Sequence, residues 1–277
     1  MSKPKDFTTT IQYISRDPLY QVEKAYSADF VPDNGETPLN HIFDLQPIHV
    51  KDIVSPQEFE LDVHGFCLLK AKTMLSAEDA LTNQSSVEMD YINEIEALLY
   101  LKFPEYKRIE AMNFIVRNRD ARYPSTEEAV VTHEQPAGIP HADFSREGGL
   151  MQLDYAFPGQ LEYLKDKDYD LLNVWRPLTG PNDDWPLAVC DWRSVQEDDI
   201  ILNDDLHRTR LGENSLLHPN PAHKWYYLSS QMPEDVFIFR NTDSTGKRAR
   251  CFHAAVYNPE SRSEPRRSAE VRVVAIR

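Results

Sequence analysis

Hydrophobic and polar positions along this chain fall into two regimes. One helical stripe stands early: Tyr91, Ile92, Ile95, Leu98 and Leu99 recur at intervals of three and four before Lys102 and Pro104. That spacing predicts a core-packing helix over 85–103, opened by Ser85-x-x-Glu88 as a capping box. Val63 to Leu69, upstream, reads as a first strand. Downstream, short runs rich in β-branched and aromatic residues follow one another: Met112–Arg117, Leu171–Arg176, Leu187–Cys190, Lys224–Leu228, Asp235–Arg240, Arg250–Val256 and Glu270–Ile276. Pro, Gly, Asn or Asp bounds each run, as strands require. No helix clearly alternates with them, which argues against a parallel βαβ sheet and for a closed or sandwiched antiparallel one, a jelly roll in particular. Residues 1–60 are polar, punctuated by proline and weakly periodic, and read as an irregular N-terminal arm wrapping a core over 61–277. With no repeat, low-complexity tract or linker, 1–277 is expected to form a single domain.

Composition narrows the partners. At 277 residues the chain is long enough to bury a sizeable core, and 41% hydrophobic with 27% charged residues is ordinary for a soluble protein. A net charge of −15 argues against nucleic acid, since little here would neutralise phosphates. The first twenty residues hold no apolar run for a signal peptide or membrane span. Cys67, Cys190 and Cys251 are odd in number, widely spaced and without a C-x-x-C pair, so neither a disulfide framework nor a zinc ribbon fits. A reducing, cytoplasmic setting is the expectation. The oligomeric state is not legible.

The candidate chemistry centres on Gly138-Ile139-Pro140-His141-Ala142-Asp143-Phe144. His141 is the only one of nine histidines with an acid two places on. Residues two apart on an extended segment point to the same side, so His141 and Asp143 can reach one metal. Two histidines and one carboxylate make the facial triad of non-heme Fe(II) oxygenases, which leaves coordination positions open. His253, in the apolar run Cys251-Phe252-His253-Ala254, is the preferred third ligand. Taken alone it also fits a core histidine bonded to a carbonyl. His223, His218 and His133 are the rival ligands.

A second cluster opens the last strand. Alternation puts Arg266, Ser268, Glu270 and Arg272 on one face. A guanidinium fork with a nearby hydroxyl suits a carboxylate-bearing cosubstrate, while a solvent-facing edge with a Glu270–Arg272 pair is the plainer reading. Arg266 and Arg272 lie about 20 Å apart along an extended strand, so both cannot hold one carboxylate. Of the strand residues Trp175, Arg176, Trp225 and Tyr227, at least one is expected to line a substrate pocket and the others to fill the core. No G-x-S-x-G elbow, Walker loop or G-x-G-x-x-G is present. Cys251 and His253, two apart on a strand, make a poor nucleophile–base pair.

Longer motifs carry a resemblance. Asn173-Val174-Trp175-Arg176-Pro177-Leu178, Asp184-Trp185-Pro186-Leu187-Ala188-Val189-Cys190-Asp191, Lys224-Trp225-Tyr226-Tyr227 and Met232-Pro233-Glu234-Asp235 resemble the fungal hydroxylase/desaturase family. That family takes in AsaB-like proteins and relatives of gibberellin desaturases and the cephem methoxylase. The similarity runs from Thr8-Thr9-Thr10 to the C-terminus and is densest over 138–276. It implies a mainly β fold, a double-stranded β-helix (the cupin-like jelly roll) with flanking α-helices. It also implies Fe(II) held by His141, Asp143 and His253, and 2-oxoglutarate held by Arg266 or Arg272 with Ser268. The implied activity is a hydroxylase, desaturase or oxidative cyclase taking O2 and a small secondary-metabolite substrate. One stretch departs from the pattern: relatives commonly carry a basic segment after His-x-Asp, where this chain reads Gly148-Gly149-Leu150-Met151-Gln152-Leu153-Asp154-Tyr155, near the expected pocket mouth. Two alternatives remain beside this reading. One is an Fe(II)/O2 oxidase that cyclises its substrate without 2-oxoglutarate; the other is a metal-free β-sandwich binding module.

Overall fold

The first strand lies inside the segment expected to be irregular. Phe7, Thr9, Ile11 and Tyr13 turn inward while Thr8 and Thr10 face solvent, a period-two pattern that makes β1 (Phe7–Ile14). β1 pairs antiparallel with β3 (Phe43–Asp52), and β2 (Ala25–Ala28) joins the far edge of the same sheet. Residues 1–60 are thus corrected from an irregular arm to three strands of the main sheet. The side chains of β3 are mostly exposed or half-exposed, so backbone pairing rather than a buried face defines it, and hydrophobic periodicity gave no sign of it. The computed structural model describes residues 5–33, 35, 37–82, 84–125 and 132–277; within the arm, 1–4, 34 and 36 lie outside the described residues.

Two sheets make a jelly roll. Strands β6 (His141–Ala142), β8 (Leu187–Cys190), β9 (Ile200–Leu206), β10 (Leu211–Leu217), β11 (Trp225–Tyr227) and β13 (His253–Ala255) complete the nine-stranded sheet. Its order is β1-β3-β11-β8-β13-β6-β10-β9-β2. The β3–β11 and β2–β9 pairs are parallel and the others antiparallel. The second sheet runs β4-β12-β7-β14-β5, all antiparallel, from β4 (Phe66–Lys70), β5 (Arg108–Asn118), β7 (Tyr169–Pro177), β12 (Asp235–Asp243) and β14 (Arg267–Ile276). Between the sheets, Trp175, Phe237 and Phe239 of one meet Leu187, Val189 and Cys251 of the other.

Helix α3 (Ser85–Lys102) covers the outer face of the smaller sheet, as its stripe predicts: Tyr91, Ile95 and Leu99 are buried against Val174, Ile238 and Val271. The capping box does not form. Gln84 is the capping residue and makes no side-chain cap bond, because Ser85 already lies in the first turn. The strand expected over 63–69 starts later, at Phe66. Residues Leu61–His64 form a helical turn, α1, closed by Gly65 at φ 84°. A Cβ on Gly65 would stand 2.2 Å from the Arg250 carbonyl oxygen, so chain reversal and close approach both require glycine there. A short α2 (Ala77–Ala80) precedes α3. Two later helices are α4 (Arg146–Ala156) and α5 (Leu161–Leu164). Gly148 and Gly149 depress helix propensity in α4, yet the Ser145 side chain caps it by accepting from the Gly148 amide at 2.9 Å.

Candidate metal centre

Strand pairing brings the three expected ligands together. His253 on β13 lies directly opposite His141 on β6, with ring centroids 4.3 Å apart. Nδ1 of His141 stands 2.7 Å from the Ile139 carbonyl, which only accepts, so Nδ1 carries the proton and Nε2 presents its lone pair. That Nε2 is 3.3 Å from Oδ1 of Asp143, and Nε2 of His253 is 3.8 Å from the same oxygen. Among the described residues, His141, Asp143 and His253 form the one group of three such side chains whose ligand atoms all lie within 4.8 Å of one another.

The charge states suit a metal. Burial, with His141 adjacent, pushes His253 down to about 3, so it is a neutral ligand near pH 7. Burial works against ionisation of Asp143, but Arg272 and the two imidazoles outweigh it and hold the carboxyl well below its ordinary range. Oδ2 of Asp143 is already occupied: it accepts from Arg272 Nε at 2.8 Å and from Asn173 Nδ2 at 2.6 Å. Asn241 completes this support, its Nδ2 donating to Asn173 Oδ1 at 2.6 Å and its Oδ1 accepting from the Asp143 backbone amide at 2.9 Å. Oδ1 alone therefore turns towards the histidines, which leaves one carboxylate oxygen free for a metal. Asn173 and Asn241 were not singled out in the sequence. Their signal lay in the strand runs, as polar residues at positions a core would fill with hydrocarbon.

The face of β14 behaves as alternation predicts, with Arg266, Ser268 and Glu270 buried and Arg272 nearly so. The two arginines then separate in role. Arg272 grips Asp143. The Arg266 amide donates to Asp184 Oδ2 at 2.8 Å; its guanidinium donates through Nη1 to the Trp185 carbonyl at 2.6 Å and lies over the Trp175 ring, but has no acidic partner among the described residues. Its Nε and the nearby Ser268 Oγ are buried without any hydrogen-bond partner. Burial, reinforced by Arg117, lowers Arg266 to about 10, with Asp184 and Glu270 only partly opposing. Two orphaned donors beside a buried guanidinium fit a carboxylate group. One cavity wall contains Trp175, Arg266 and the three candidate ligands, so this anion site opens onto the metal site. Burial also lifts Glu270 above the ordinary carboxyl range, with Asp143 adding to the effect against the pull of Arg272.

Of the four candidate pocket residues, Trp175 alone reaches this cavity. Arg176 points to the opposite face of β7, where it donates to the Leu75 carbonyl at 2.8 Å and to the Tyr91 hydroxyl at 3.1 Å. Trp225 and Tyr227 pack with Phe7, Tyr13 and Val50 in the core that β1 and β3 build. The strand alternation that aims Trp175 inward aims Arg176 outward, and the uncharted N-terminal strands claim the other two. The rival histidines are likewise engaged elsewhere. His223 bridges Asp199 Oδ2 and the Tyr13 hydroxyl, each at 3.1 Å, and Nδ1 of His218 meets the Ile14 carbonyl at 2.8 Å. Nδ1 of His133 meets the Thr132 hydroxyl at 3.0 Å.

The family model described as YDMC, oxidoreductase/YMDC permease-like domain, matches residues 11–276. A hydroxylase/desaturase of Hormonema carpetanum is 28% identical over 251 residues, covering 83% of each chain. An Fe(II)/2-oxoglutarate-dependent dioxygenase of Aspergillus novofumigatus is 28% identical over 264 residues, 87% of each. In structure, a variant of an iron and alpha-ketoglutarate-dependent endoperoxidase superposes with a TM-score of 0.85 at 24% identity, over 100% of this chain and 98% of that one. This last likeness is one of fold.

Proposed function

The chain belongs to the oxidoreductase/YMDC permease-like domain family, and on that footing we propose that it is a non-heme Fe(II)- and 2-oxoglutarate-dependent oxygenase of small secondary metabolites. The observation that carries the reading is the pairing of two half-sites on one cavity: a cluster of two imidazoles and a carboxylate, and a buried guanidinium without an acidic partner among the described residues. The names of the relatives support it. When bound, the metal and cosubstrate supply oxidation of an unactivated C–H bond by O2. His141, Asp143 and His253 hold the metal and leave one side open. Arg266 and Ser268 take the distal carboxylate of 2-oxoglutarate and so set its register against the metal. Trp175, Leu187 and Phe239 exclude water around His253. A purely oxidative cyclase without cosubstrate would leave Arg266 and Ser268 with nothing to bind.

The whole chain acts as one oxygenase domain in this reading, with O2 and a small molecule as partners. Three free, buried cysteines support a reducing, cytoplasmic setting. No helix among the described residues is long and apolar enough to cross a membrane. The test is metal analysis of anaerobically reconstituted protein. One Fe(II) per chain is expected in the wild type, with loss of iron but not of fold in His141→Ala, Asp143→Ala and His253→Ala. Full occupancy in the His253 variant would move the third ligand elsewhere.

A further inference from the structure

A second cavity meets the candidate ligands from the side away from Arg266. It has a volume of about 200 Å³ and shares His141, Asp143 and Arg272 with the metal site. Its remaining walls come from α4, β5 and the β9–β10 hairpin. Ligand pockets are lined mainly by hydrocarbon. Here Phe144 is the one large apolar side chain, and the amide oxygens of Asn113 and Asn214 are buried without partners. An apolar skeleton would strand both amides, at a cost for each buried polar group left unpaired.

The charges around this cavity are not equally satisfied. Glu213 already accepts from Ser145 and Lys24, Asp205 from His207, and Asp143 from Arg272 and Asn173. Arg210 is the exception. It is half-buried, lies over the Tyr155 ring at 4.8 Å, and its polar contact is Gln152 at 3.3 Å, with no acidic partner among the described residues. Resting on the oxygenase reading, we propose that this cavity is the substrate site. Its substrate class is a small carboxylic acid bearing hydroxyl or amide groups, with the carboxylate on Arg210 and the polar groups on Asn113 and Asn214.

The test uses protein loaded with Mn(II) and saturated with 2-oxoglutarate, so that the Arg266 side is filled. The probes are N-acetylglycine and its matched amide, N-acetylglycinamide. Saturation-transfer NMR gives their affinities, and line broadening by Mn(II) reports whether a bound probe lies beside the metal. N-acetylglycine is expected to bind beside the metal and to outcompete the amide. Arg210→Gln should weaken the acid by about ten- to a hundred-fold, as loss of a hydrogen bond to a charged group does, and leave the amide unchanged. Arg210→Lys should recover part of the difference. Equal binding of acid and amide overturns the proposal, as does an unchanged acid affinity in Arg210→Gln or failure of both probes to bind. Protein that takes up no Mn(II) defeats the oxygenase reading itself; protein that takes up Mn(II) without preferring the acid defeats only the substrate class.

Discussion

Arg266 and Arg272 sit on one strand face, six residues apart, and their substitutions should fail in opposite ways. Arg266 is 2% exposed, so solvent cannot screen its interaction with a bound carboxylate. Truncating one partner of such a sealed ion pair costs roughly 2–5 kcal/mol. At 1.4 kcal/mol per decade, Arg266→Ala should weaken 2-oxoglutarate by about thirty-fold to several thousand-fold while iron affinity stays near that of the wild type. Arg272 acts instead on Oδ2 of Asp143 at 2.8 Å. Its removal leaves Oδ2 of the buried candidate ligand Asp143 held by Asn173 alone, and loss of such support to a metal ligand costs about ten- to a hundred-fold in metal affinity. Calorimetric titration of Mn(II) into each apo variant, followed by 2-oxoglutarate into the metal-saturated protein, separates the two constants. A crippled cosubstrate affinity in Arg272→Ala with a normal one in Arg266→Ala would refute the assignment. So would two variants that bind 2-oxoglutarate like the wild type.

Asn173→Leu removes the other donor to Asp143 without opening a cavity, and should likewise lower Mn(II) affinity about ten- to a hundred-fold, read by the same titration; unchanged affinity would leave Arg272 as the sole support. Gly148→Ala puts a Cβ 1.8 Å from the Glu213 carbonyl oxygen, a backbone atom that cannot rotate away. Overpacking of this kind costs roughly 1–3 kcal/mol, or about 2–12 °C in Tm, and an unaltered melting curve would contradict the packing described. His223 is held below its ordinary value of 6.5 by burial, with Asp199 partly opposing. The unfolded chain therefore takes up a proton that the folded chain refuses. Its contribution to stability is complete above 6.5 and is lost as pH falls below it. Melting temperatures from about pH 8 to about pH 5 should fall less steeply in His223→Gln than in the wild type; parallel curves would remove His223 from the account.

The candidate ligands and the strands that carry them are legible because each depends on local pattern. His141 and Asp143 are two apart, His253 is a lone polar residue in an apolar strand, and Arg266 to Arg272 alternate. What could not be read depends on partners far away in sequence. β9 and β10 mix inward and outward residues without clean alternation, since Asn203 and Ser215 are buried polar groups satisfied or packed only in the folded chain. α4 carries two glycines and exists because Ser145 caps it and its glycines let it approach β10 and β12 closely. Asn173 lies within a hydrophobic run and Asn241 just after one, and only the fold brings both to Asp143. Trp225 and Tyr227 belong to the core beside β1 and β3, and β3, with its side chains mostly exposed, carries no hydrophobic periodicity to show it.

Both margins of the ligand-bearing sheet are made by the first fifty or so residues, β1 at one side and β2 at the other. An open strand margin is a template on which another chain can add itself. While the polypeptide is being synthesised, these segments emerge first, yet β3 must wait for Trp225 and β2 for Asn203 before either can dock. Assembly is therefore dominated by contacts between distant parts of the chain, a topology that folds slowly. Until the N-terminal strands settle, β11 and β9 stand at the margins of the sheet with unpaired hydrogen-bonding edges. Shortening the chain to start after Asp52 leaves every candidate ligand in place. It should nonetheless yield a protein that self-associates, because it lays bare β11 and β9 and the side chains that β1 and β3 bury.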